Sequence, residues 1–140
     1  MPQTEEIKKV HVRIISEIDG EKSISGSRGE LERGMLFANL YYPVGEDRVT
    51  LRVTGQEIVM EREGSCYLRL SFRPGRISEG LIGHSKTSFG EVKIDTSTAL
   101  CEWAADGIRI TLKYALLFGE ERQETSLRLI AKTEKSEENI

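Results

Sequence analysis

Few side chains in this sequence belong to the types that do chemistry. It has two histidines, His11 and His84, and two cysteines, Cys66 and Cys101. A zinc site needs three or four His, Cys or carboxylate ligands converging on one point. Here the four candidates are scattered over four segments, and the cysteines lack CxxC spacing. The expectation is therefore no metal and no cofactor. Ser85 or Ser88 with His84 and Asp95 offers the residue types of a nucleophilic triad. Adjacency in sequence is not triad geometry, however, and no nucleophile-elbow pattern surrounds either serine. Glu91, Lys93 and Asp95 alternate along one strand face, which is the pattern of a solvated surface with cross-strand charge pairing. No catalytic residue is assigned.

Arg62 is the more informative charge. It lies in phase with Ile58 and Met60, so alternation turns it inward, where a guanidinium must be paired or sit near a wet mouth. Its place just before Gly64 puts it at the mouth. A planar fork there could anchor a bound carboxylate or phosphate. It could equally cap strand-end carbonyls or pair with a nearby acid, and this is the simpler reading. A second cluster, Tyr67, Arg69, Arg73 and Arg76 with Phe72 in the opposite phase, falls short of the aromatic–basic pattern that binds single-stranded nucleic acid.

The elements that must position these residues are strands. Period-two alternation dominates and no segment sustains a helical period. Val10, Val12, Ile14 and Ile18 share one face. Asp19-Gly20 then signals a tight hairpin. Glu21–Arg33 reads as a weak or irregular strand, bulged at Gly26 or Gly29. Further alternation runs through Met35–Tyr42, Arg48–Thr54, Glu57–Glu63, Ser65–Arg73, Phe89–Thr96, a strand carrying Ala99, Cys101 and Trp103, then Ile108–Phe118 and Arg122–Lys132. Arg76–Lys86 is loosened by Gly80 and Gly83. The order is about ten short strands linked by tight turns, with no long return for a Greek key. Such a meander removes its edges by closing. The expected fold is all-β: a single antiparallel up-and-down barrel of eight to ten strands. The one domain spans residues 1–140, ordered over about 7–133 with a flexible acidic tail over 134–140.

A formal net charge of −3 argues against a general nucleic-acid or anionic-membrane partner. No apolar run reaches a membrane span, and the start MPQTEEIKKV lacks a basic-then-apolar leader. Cytoplasmic residence with reduced thiols is expected.

Ser88-Phe89-Gly90-Glu91, then Thr96-Ser97-Thr98, Gly107 and Tyr114, together with Arg62-Glu63-Gly64, resemble the YwiB-like family of bacterial proteins of unknown function. The likeness runs from about Val10 to Ala131. Where family members carry an aromatic ahead of the SFG-like turn, this chain has His84. The resemblance implies a calycin-type, lipocalin-like β-barrel and brings no catalytic residues. It places the hydroxyls of Thr96 and Tyr114 near the core, where they could line a polar cavity or bond one another. The resulting expectation is a non-catalytic barrel for a small, anionic ligand held by Arg62, Thr96 and Tyr114. The alternative is a filled barrel with no small-molecule ligand that serves as a protein-interaction or structural module or as a homodimer.

Overall fold

A chain made only of hairpins must dispose of its two outer edges. In the computed structural model, which describes residues 6–55 and 57–134, it does so by closure. Ten strands follow in order: β1 (Glu6–Ile18), β2 (Glu21–Arg33), β3 (Phe37–Val44), β4 (Asp47–Thr54), β5 (Glu57–Glu63), β6 (Tyr67–Phe72), β7 (Arg76–Ser85), β8 (Ser88–Ala104), β9 (Gly107–Phe118) and β10 (Glu121–Thr133). Each is antiparallel to its sequence neighbours, and β1 pairs with β10 to close the barrel. The Asp19-Gly20 turn has positive φ at both residues, 48° and 89°, as a two-residue hairpin that follows the strand twist requires.

Alternation builds one continuous apolar interior. Leu31, Leu40, Leu51, Leu70, Phe72 and Ile110 are among its fully buried side chains, and Ile82 of β7 packs against the same cluster. Each such side chain contributes about 1.5–3 kcal/mol through removal from water.

Closure is uneven. β2 is a regular strand aligned with β1 along its whole length, Glu21 to Arg33, with no bulge at Gly26 or Gly29. This corrects the weak, bulged strand read from its glycines and polar residues; continuous pairing with β1 overrides their low strand propensity. Its other edge pairs with β3 only from Glu30 to Arg33. On the far side of the barrel, β6 pairs with β7 only from Tyr67 to Arg69. These two short ladders divide the wall into a sheet of long strands (β7 to β10, β1 and β2) and a sheet of short ones (β3 to β6). The glycine-rich segment at Gly80 and Gly83 is therefore closed but narrow. A Cβ on Gly80 would lie 2.7 Å from the Arg69 carbonyl oxygen and 3.0 Å from Leu70 Cδ2, so glycine lets the two strands approach.

Three further expectations change in detail. Ile18 lies beyond the covering short sheet and is exposed. Trp103 is 45% exposed and lies beneath the Arg33 guanidinium, 5.2 Å from the ring centroid. Tyr67 points outward yet is only 7% exposed, because Phe89 packs beside it with ring centroids 6.2 Å apart. The expected flexible tail falls on residues 135–140, outside those described, except for Glu134. That residue continues the ladder through a 3.2 Å bond from its amide to the Lys9 carbonyl.

Candidate binding site

Arg62 is the penultimate residue of β5, at the mouth that carries the β3–β4 and β5–β6 turns. Its Nε and Nη2 both reach Asp47 Oδ2, each at 2.7 Å. Asp47 opens β4, and its side chain is 3% exposed. The same carboxylate accepts the Ser65 amide at 2.6 Å on Oδ1 and the Ser65 hydroxyl at 3.0 Å on Oδ2. The Ser65 amide first, and Arg62 next, hold the Asp47 carboxyl below the usual carboxylate range. The neighbouring turn admits this contact because Gly64, at φ 144°, has no Cβ; one there would strike Asp47 Oδ1. The predicted anion anchor is thus occupied by an internal carboxylate that ties two turns together.

Tyr42 of β3 and Tyr114 of β9 line the interior beside Arg62. Burial, reinforced by the neighbouring Tyr114, raises the Tyr42 phenol above its ordinary value, while Arg62 acts the other way. Burial pushes Tyr114 up to about 12, opposed by a contact with the Thr125 side chain. Both phenols are therefore protonated donors near neutral pH and poor bases. The Tyr114 ring packs on Phe72 with centroids 4.6 Å apart. Thr96 of β8 lies directly across from Tyr114. It is 1% exposed, and its Oγ1 has no hydrogen-bond partner.

The three predicted residues do not gather at one mouth: Arg62 lies beside the β5–β6 turn, whereas the Thr96 carbonyl accepts the Gly75 amide of the β6–β7 turn at the other end. Thr96 neighbours Tyr114 across the β8–β9 ladder, and Tyr42, which the sequence reading missed, lies between Tyr114 and Arg62 in their mutual electrostatic influence. Asp47 was also missed, because Gly45-Glu46-Asp47 reads as a loop.

The catalytic alternatives do not assemble. Asp95 pairs with Arg122 at 3.2 Å on the outer face, and Ser85 bonds Thr87 within its turn at 3.1 Å. Burial pushes the Cys101 thiol up to about 11, which disfavours the nucleophilic thiolate. Among the described residues, no three His, Cys, Asp or Glu side chains gather as a metal site would require.

Surface clefts adjoin β2. One of about 630 Å3 lies where β2 leaves β3, between Arg28, Gly29, Tyr42, Pro43 and Arg48. Another, about 590 Å3, crosses the outer face of β10, β1 and β2.

No helix of the described residues is long and apolar enough to cross a membrane. No curated protein matches the sequence. The fold is similar to the crystal structure of the ywiB protein from Bacillus subtilis, with a TM-score of 0.69 over 95% of this chain and 96% of that one. At 16% identity the likeness concerns the fold alone. Residues 12–129 match the family described as a domain of unknown function, DUF1934. With its closed β-barrel, the chain belongs to this family.

Proposed function

We propose that the protein is a non-catalytic interaction module: a filled barrel that presents its outer wall to partners. The observation that carries this reading is the interior itself. Inward side chains pack as one contiguous apolar cluster, and the Arg62 guanidinium, at the mouth that carries the β5–β6 turn, is committed to Asp47. A ligand-binding barrel instead leaves an apolar cavity with a few free, convergent polar groups. The unpaired thiols Cys66 and Cys101 fit a reducing, cytoplasmic setting.

One observation favours a second reading, a calycin-like small-ligand barrel. Buried polar atoms normally find partners, and Thr96 Oγ1 has none. A small molecule entering beside Tyr114 could supply it. Native mass spectrometry of freshly purified protein separates the two. The interaction reading predicts the bare polypeptide mass, as monomer or homodimer. A stoichiometric, co-purifying small molecule would sink it in favour of the second.

A further inference from the structure

Charge on this acidic barrel is segregated. Directly opposite residues in an antiparallel pair share a face, so the registers stack outward side chains into rows across β2, β1, β10 and β9. One row reads Arg28, His11, Lys132 and Gly107. The next reads Gly26, Arg13, Ile130 and Arg109, and the third Ile24, Ile15, Arg128 and Thr111. No carboxylate stands in these rows on those four strands; the second row meets one only on β8, where Glu102 stands opposite Arg109. Arg13, Arg109, Arg128 and Lys132 are exposed and have no ion-pair partner among the described residues. Within a row the permanent cations stand one strand apart from each other, separated by His11 or Ile130, so an anion lying over the rows meets several of them at once.

One anion already does. Glu134 reaches back over the first row, its Oε1 3.7 Å from His11 Nε2 and 3.5 Å from Arg28 Nε. That oxygen is shielded from water and accepts no hydrogen bond, so the Arg28 guanidinium, with the His11 imidazole alongside, is the charge that faces it. Gly26, opposite Arg13, leaves the floor of the cleft open between Arg13, Arg28 and Lys132.

We propose that this face docks an extended acidic segment of a partner protein, for which Glu134 is an internal stand-in. This rests on the interaction-module reading and names its surface and partner chemistry. Successive rows lie two strand residues apart, roughly 6.6 Å. An extended chain with a carboxylate at every second residue has the same period. Four of the cations are arginines, whose forks pair with carboxylates bidentately. The rows hold no Phe, Tyr or Trp ring on which a base would stack, which favours a polypeptide over a single-stranded nucleic acid.

The test is fluorescence anisotropy with a labelled Glu-Ser repeat peptide at low salt. Its Gln-Ser counterpart and an oligothymidylate of matched charge serve as comparators. The acidic peptide is expected to bind, to weaken with added salt, and to lose about tenfold in affinity with Arg13→Glu and Arg28→Glu together. Those exposed substitutions should leave the circular-dichroism melt unchanged. Glu134→Gln should bind about threefold more tightly, since it removes the competitor. Absence of Glu-Ser binding, or equal binding of Gln-Ser, overturns the proposal and leaves the wider reading to the native mass spectrum. Tighter binding of the oligothymidylate overturns it in favour of nucleic acid. An unchanged affinity in Glu134→Gln overturns the stand-in role.

Discussion

Asp47 shows how one side chain can decide what its neighbour is for. Arg62 has the phase and position of an anion anchor, and both were readable from Ile58-x-Met60-x-Arg62 and the Gly64 turn. Its partner was not readable. Asp47 lies 15 residues away in what reads as a loop, and only folding brings it under the guanidinium. Arg62→Met leaves that carboxylate shielded with one cation fewer, so it should lower the Tm by several degrees; an unchanged Tm would return Arg62 to ligand binding. Gly64→Ala should act in the same direction, because its Cβ meets the same carboxylate. The depressed Asp47 pKa also sets a pH dependence. Its contribution is fully present above the unfolded carboxyl value, about 3.9, and is lost as pH falls through the lower folded value. Asp47→Asn should therefore lower the Tm at neutral pH and flatten its acid limb, as scanning calorimetry across that range would show. Thr96→Val removes an unpartnered hydroxyl with little change of shape, so its stability should stay the same or rise by about 1 kcal/mol in chemical denaturation. A clear loss would mean that the hydroxyl is satisfied in solution.

At the level of elements, the strands hold the barrel with unequal grip. Long ladders such as β1–β2 contrast with the short ones at β2–β3 and β6–β7. Hydrogen exchange should follow this difference. The amides of Glu21–Ser27 directed away from β1 should exchange much faster than those of Glu30–Arg33, and equal protection would mean that β2 acquires a partner in solution. Core truncation should be costly wherever packing is continuous: Phe72→Ala should lose about 3–5 kcal/mol. The strands themselves were legible because period-two alternation and turn dipeptides are local signals. Where a strand outruns its neighbour was not, since ladder length follows from the stagger of a closed barrel. The glycines at 26 and 29 suggested bulges, yet the register shifts fall at Gly83/Ser85 and Thr96/Thr98.

For the whole molecule, the net charge gave a misleading picture of the surface. An overall −3 conceals a basic outer wall assembled from residues as distant as His11, Arg28 and Lys132. Arg28 meets His11 across the β1–β2 hairpin, but Lys132 joins them only through the β1–β10 closure, a contact between distant strands that no local pattern encodes. The interior, by contrast, followed from alternation once closure was assumed. On the proposed reading, binding takes place on this outer wall and the filled interior takes no part. The most direct measurement is amide chemical-shift mapping on the 15N-labelled protein during titration with the Glu-Ser peptide. The expected shifts are confined to β1, β2, β9 and β10 around His11, Arg13, Arg28, Arg109 and Lys132. Shifts centred instead on Tyr42, Thr96 and Tyr114, with the outer rows silent, would contradict it.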